Sequence, residues 1–273
     1  MTSRYVLGID IGGTSFTVGA VLEDGSRVAA LRNAPTIAES GADIVLDRII
    51  AISRAVMEET RAAEPGATFI GVGAGAPGPL DTKRGVVLLT PNLGWVDYPL
   101  ADRLHEGLAL PVVIDNDANC AVLGEWWMGA ARGTQHAIGF TIGTGIGGGI
   151  IMNGRLYHGA SDCAGEIGHT TIDSNGRRCA CGNYGCLEAY ASGPAIAERA
   201  REALQVGEAS LLLEVVVIAG GVTRAGEALF EPLRAEVRRR AFKPAVDACR
   251  IVPGELPGTA GVVGAIAMYQ MTT

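Results

Sequence analysis

The sequence predicts an α/β fold in two lobes with a cleft between them. Three observations carry that expectation. A strand, a glycine-rich turn and a second strand are written in "RYVLGIDIGGTSFTVGAVLEDG", and the pattern returns in "HAIGFTIGTGIGGGIIMNGRLYHG". The copies lie near residues 5–22 and 137–152, about half the chain apart, as a duplicated domain with a cleft between its halves would place them. The composition agrees: 39 glycines, 48% hydrophobic residues and 5% aromatics in 273 residues suit an α/β protein with tight turns.

Between and after the copies the elements follow in order. "GADIVLDRIIAISRAVMEETRAA" has apolar residues at helical spacing and little glycine, so it reads as a helix. "TFIGVGAGAPGPLD" is a β-branched, small-residue strand closed by a Pro-Gly-Pro turn. "PVVIDNDANCAVLGEWWMGAA" is a short strand, a polar turn and a helix, with Asp117 or a near neighbour at the helix entry. "VVVIAGGVTRAGEALFEPLRAEVRRR" reads as strand, Gly-Gly turn and helix, and "GTAGVVGAIAMYQ" as a closing helix of small residues. The basic run Arg234 to Arg240 reads as a solvated helix face.

A net charge of −7 argues against a nucleic-acid partner or an anionic membrane surface. The N-terminus enters a strand pattern at once, without a signal-peptide pattern, and no apolar run reaches 18 residues. The expected compartment is the cytoplasm, where disulfides are uncommon. Cys120, Cys163 and Cys249 sit among small and apolar residues and read as buried free thiols.

The glycine turns decide between two chemistries. Gly143, Gly145 and Gly148 match G-x-G-x-x-G, but a β-branched strand follows instead of a helix, so a Rossmann dinucleotide site is not expected. A glycine hairpin can still hold phosphate through consecutive N–H groups. In "DIGGT", Asp10 could hold Mg²⁺ and Thr14 could donate to a phosphate oxygen; alone, the same stretch reads equally well as an ordinary turn. Two such hairpins plus "IAGG" before a helix resemble the actin-like ATPase (ribonuclease H-like) fold. In that fold the hairpins clamp nucleotide phosphates and the third Gly-Gly approaches the adenosine.

"IDNDANCAVLGE" gathers Asp115, Asn116, Asp117 and Asn119 at one strand-to-helix turn. A carboxylate there can serve as base for phosphoryl transfer, or the four residues can simply cap the helix. In "GEIGHTTIDSNGRRCACGNYGCLEAY", Cys-x-Cys-x₄-Cys with a histidine ten residues upstream offers four ligands of the types zinc favours. A closed Cys₃His set leaves no position for water, so the metal would be structural and would pin the loop carrying Glu166 and Glu188. His169 could bind it through one ring nitrogen and turn the other to a ligand. A disulfide reading needs an oxidising compartment and leaves one of these thiols over.

Together, "LGIDIGGT", "GAPGPLD", "TPNLGW", "IDNDANCAVLGE", "TIGTGIGGGII", "GEIGH" and "CxCGxxGCLE" resemble the ROK family of bacterial sugar kinases and related proteins, most of all its ATP-dependent glucokinase branch. The resemblance runs from about residue 5 to 200 and resumes at "VVVIAGG". It implies Asp117 as the base that takes the proton of a sugar 6-hydroxyl. Asn116 and Asn92 would be sugar-hydroxyl ligands, Glu166, His169 and Glu188 would surround the C1–C3 end, and Gly75 would line the pocket. His169, Cys179, Cys181 and Cys186 match structural Zn²⁺ ligands. Asp10, Gly12, Gly13 and Thr14 match the first phosphate loop, Thr144 and Gly145 the second, and Gly220 and Gly221 the adenosine contact.

The implied activity is transfer of phosphate from ATP, with Mg²⁺, to a hexose. Glucose is favoured; N-acetylmannosamine, fructose, mannose and allose are rivals, and a non-catalytic, sugar-responsive regulator is the other class. The resemblance also implies a homodimer or homotetramer, an N-terminal lobe of residues 1–118 plus 261–273, and a C-terminal lobe of 119–260. Near 205–212 the family carries several dozen further residues, mostly helical. The two stretches adjoining here are expected to be joined across a gap and not by a natural or engineered deletion, because "LLLEVVVI" is apolar enough to need cover.

Overall fold

The structure is a computed structural model that describes residues 3–90, 92–205, 225–240 and 259–272. Gly220, Gly221, Cys249 and the junction after Gln205 lie outside the described residues. Cys120 is buried as expected, whereas Cys163 is exposed and corrects the expectation of a buried thiol there. By contacts the chain divides into two compact units. The first comprises Met1–Gly139, Gly148–Gly165 and Leu256–Thr273, and the second Phe140–Gly147 and Glu166–Glu255.

The first unit is built on a five-stranded sheet. Strands β1 (Arg4–Ile11), β2 (Ser15–Leu22) and β3 (Val28–Pro35) form an antiparallel meander, and β4 (Thr68–Ala76) and β8 (Val112–Asn116) add in parallel, giving the order β3-β2-β1-β4-β8. This mixed α/β arrangement belongs to the actin-like ATPase class. Alternation along β1 fixes its faces. Tyr5, Leu7, Ile9 and Ile11 join the core with helix α1 (Ala42–Ala63) and helix α2 (Leu100–Leu108), through Val45, Leu46, Ile49, Val56, Leu100 and Leu104. Val6 and Val21 face the other way, onto the closing helix α7 (Ala260–Thr272).

Helix α7 explains several glycines. It is buried from Gly261 to Tyr269 and lies against both the sheet and helix α3 (Asp117–Met128). A Cβ on Gly73 would stand 1.6 Å from the carbonyl oxygen of Ala265, and one on Gly264 would stand 1.5 Å from that of Cys120. Only hydrogen fits at either crossing, so these positions hold the helix in backbone contact with its neighbours.

A small sheet of β5 (Leu80–Asp81), β6 (Val86–Thr90) and β7 (Trp95–Tyr98) follows β4 and carries Asn92 in its β6–β7 turn. Trp95 is fully buried and stacks on Tyr98 at 4.8 Å, so this aromatic belongs to the core. Strands β9 (Ala137–Ile142), β10 (Ile146–Met152) and β11 (Arg155–Leu156) form the third sheet. Asn153 and Gly154, both at positive φ, make the tight turn between β10 and β11.

The described part of the second unit holds the β9–β10 turn, helices α4 (Glu188–Ala191), α5 (Gly193–Gln205) and α6 (Glu227–Arg240), and the cysteine loop. Arg239 pairs with Glu236 and Arg234 with Glu227 on α6. No described helix is long and apolar enough to cross a membrane.

Candidate active site and metal centre

In the first unit the parallel strands end where α3 begins. Asn116 caps that helix: its side-chain oxygen accepts from the N–H of Ala118 at 2.9 Å and of Asn119 at 3.2 Å. The cap uses the amide oxygen and leaves the amide N–H₂ available to another acceptor. Asp117 is the first helical residue, where the partial positive charge of the helix start favours a carboxylate. Gly75 lies directly beneath; a Cβ there would stand 3.3 Å from the Asp117 Cα and 3.2 Å from the Cys120 sulfur. A larger residue at 75 would press on the helix start.

Asp10, at the end of β1, shares this neighbourhood. Burial, with the Asp117 charge second, pushes its carboxyl up to about 7. Gly261, in the first turn of α7, has its missing Cβ 2.4 Å from the Asp10 carboxylate, so the acid sits directly against that helix start. Such an acid fits a divalent cation, whose charge would return it to the ionised form. The turn that follows is tight, with the Gly12 N–H donating to Ser15 O at 2.9 Å, and it leaves Gly13 and Thr14 exposed. Asn92 adjoins it; a Cβ on Gly13 would lie 3.4 Å from the Asn92 Cβ.

Behind this edge sits a buried carboxylate. Asp115 is 1% exposed and accepts from the Asn116 N–H at 2.7 Å, the Asn119 amide at 2.9 Å and His158 Nε2 at 2.6 Å. The Asp115 hydrogen bond raises the His158 pKa above its ordinary value, against partial burial.

In the second unit, Glu188 joins the second glycine turn to the cysteine loop. Its carboxylate accepts from the Ile146 N–H at 2.8 Å, and its other oxygen is 3.7 Å from the Cys179 sulfur. Gly145 and Gly168 make the approach feasible. Their missing Cβ atoms would stand 2.5 Å from Glu188 Oε2 and 1.9 Å from the Ile146 carbonyl oxygen. Thr144, Arg177, Arg178, Cys179, Glu188 and Ser192 line an open cavity of about 650 Å³.

From Thr170 to Leu187 the loop has only two isolated bridges as regular structure, Thr171–Cys186 and Arg178–Tyr184. The ligand atoms of His169, Cys179, Cys181 and Cys186 all lie within 4.8 Å of one another. Cys181 and Cys186 sulfurs are 3.7 Å apart, and Cys179 sulfur is 3.7 Å from His169 Nδ1. A tetrahedral ion with metal–sulfur bonds of about 2.3 Å requires sulfur atoms about 3.8 Å apart, so the donor set fits one. The separation is also far too long for a disulfide. His169 turns its other nitrogen, Nε2, to within 3.9 Å of Glu166.

The ROK family model matches residues 6–213. The chain belongs to the ROK family. Among ROK relatives, the glucokinase of Thermotoga maritima is 33% identical over 320 aligned positions, spanning 99% of this chain and 98% of that enzyme. The alignment is several dozen positions longer than the 273 residues here. A Streptomyces griseus ROK glucokinase solved with glucose and AMPPNP shares 31% identity and superposes with a TM-score of 0.75, over 97% of this chain and 98% of that one. The family also holds regulators: the xylose repressor of Bacillus subtilis is 36% identical over 192 residues, 70% of this chain and 49% of the repressor.

Within this ROK chain, Asp10, Gly12, Gly13, Thr14, Gly75, Asn92, Asn116 and Asp117 fall in the first unit. Thr144, Gly145, Glu166, His169, Cys179, Cys181, Cys186 and Glu188 fall in the second. Three features had no mark in the sequence reading: the His158 bond to Asp115, the Glu188 bond to Ile146, and the buried Thr36 behind the first glycine turn. His158, one of only four histidines and close to "GEIGH", could have been singled out by rarity; Thr36 offers no such signal.

Proposed function

We propose that this ATP-dependent sugar kinase phosphorylates glucose at its 6-hydroxyl, with Asp117 as general base. The observation that carries the reading is the Asp117 carboxylate at the start of α3, flanked by the capping amide of Asn116 and the half-buried acid Asp10. Near-full-length likeness to a glucokinase supports glucose as the sugar.

In the proposed reaction the ionised Asp117 takes the proton of the 6-hydroxyl as that oxygen attacks the γ-phosphorus. The bond to the bridging oxygen breaks and ADP leaves with its electron pair. Asn92, Asn116, Glu166, His169 and Glu188 are the proposed hydroxyl partners. A sugar that leaves one such group unpaired loses about 1–3 kcal/mol, which is how epimers are rejected. Peptide N–H groups of the two glycine turns hold the phosphates, with Thr14 and Thr144 as side-chain donors. Asp10 is the proposed anchor for Mg²⁺, which when bound neutralises charge on the phosphates. His169, Cys179, Cys181 and Cys186 are the proposed ligands of a structural Zn²⁺.

Substituting Asp117 with asparagine tests the assignment. Loss of turnover with retained glucose binding supports it, and a variant with full rate removes Asp117 from the mechanism. A sugar-responsive regulator is the second reading, supported by the likeness to the xylose repressor; ATP turnover separates the two.

A further inference from the structure

The first glycine turn is braced from behind by Thr36, which follows β3 and is completely buried. Its hydroxyl donates to the carbonyl oxygen of Gly12 at 2.7 Å, and its backbone N–H donates to that of Thr14 at 2.9 Å. Arg48 on α1 fixes Thr36 in turn, donating to the carbonyl oxygens of Thr36 and Pro35, both at 2.7 Å.

A trans peptide points its C=O and N–H in opposite directions, and no described peptide bond is cis. Tying the Gly12 carbonyl to Thr36 therefore turns the Gly13 N–H away from Thr36. Tying the Thr14 carbonyl does the same to the Ser15 N–H. Gly13, Thr14 and Ser15 are all exposed, so the brace orients the turn towards its accessible side. Without the brace, the glycines would let these peptide planes rotate.

We propose that Thr36 is a positioning residue for the nucleotide: it locks the peptide planes of the first glycine turn so that the Gly13 N–H is presented to a phosphate oxygen. Thr36 touches no substrate and acts through the backbone. The inference rests on the reading of this turn as a phosphate loop.

The test uses the full chain with Mg²⁺ and AMPPNP, a non-hydrolysable ATP analogue, and reads its Kd beside the KM for glucose. Thr36→Val keeps the shape and removes the hydroxyl. It is expected to weaken AMPPNP binding about tenfold, the scale of one hydrogen bond, with the glucose KM unchanged. Thr36→Ser restores the hydroxyl and is expected to restore affinity. Arg48→Gln removes only the outer brace and is expected to give a smaller change of the same sign, which keeps the idea testable if Thr36→Val folds poorly. Wild-type AMPPNP affinity in Thr36→Val, or equal loss of nucleotide and glucose with no rescue by serine, overturns the proposal. Asp10→Asn and Thr14→Ala separate the two levels. If neither changes AMPPNP affinity, the phosphate-loop reading fails and the proposal falls with it. If they weaken binding and Thr36→Val does not, the role of Thr36 alone is lost.

Discussion

The Glu188 carboxylate accepts a hydrogen bond from the backbone N–H of Ile146 at 2.8 Å, which ties the cysteine loop to the second glycine turn. The other carboxylate oxygen lies beside Cys179. One side chain thus shares its two oxygens between a candidate metal ligand and a candidate phosphate loop. Glu188→Ala is expected to loosen both and to raise the KM for ATP as well as for glucose. Glu188→Gln keeps a neutral acceptor and should raise the ATP KM less. Steady-state kinetics over both substrates distinguish this from a role in sugar binding alone, in which only the glucose KM would move.

The metal prediction turns on an exposed residue. Cys181 buries little, so Cys181→Ser removes almost no packing. If the four donors hold structural zinc, that change should still remove about one metal equivalent and lower Tm together, because binding energy is folding energy at such a site. Metal analysis beside thermal unfolding checks it. A stable, zinc-free and active variant contradicts a structural role.

Asp10 gives a pH prediction with a definite sign. Its carboxyl moves from 3.8 up to about 7 in the folded chain. Below about pH 4 it is protonated in both states and costs nothing. As pH rises towards 7 the unfolded chain releases the proton while the folded chain retains it, so stability falls. Asp10→Asn cannot ionise. Without nucleotide it should be more stable than the parent at pH 8, by up to roughly 4 kcal/mol, with the gap closing near pH 4. Urea unfolding across that range is the measurement, and a constant gap contradicts the assignment.

His158 works in the same direction on the pH axis. The folded-state pKa of His158 is raised by Asp115, so its stabilising contribution is full below its ordinary value of 6.5 and is lost as pH rises through the raised value. His158→Gln should therefore cost most stability below pH 6 and least at alkaline pH. Unfolding midpoints of the two proteins between about pH 5 and 9 test this. A difference that grows with pH would contradict the His158–Asp115 pair.

Much of this was legible in the sequence for physical reasons. Period-two alternation marks β1 and β2, glycine clusters mark the turns, and the cysteine spacing marks a donor set whose atoms do converge. Other features were hidden because they join distant positions through backbone atoms or close contact. Thr36 is 24 residues from Gly12 and His158 is 43 from Asp115. Strand β5 has two residues and β7 four, too few for alternation to show. Trp95, the aromatic that closes "TPNLGW", fills the core. Gly73 owes its identity to Ala265, nearly two hundred residues later.

The central claim is tested most directly by ADP release from ATP and Mg²⁺ against glucose, mannose, N-acetylmannosamine, fructose and allose, with zinc content measured on the same sample. The account predicts turnover with a strong preference for glucose and its loss, on the order of 10²-fold or more, in Asp117→Asn. No turnover with any of these sugars, in protein shown to contain zinc, would contradict it.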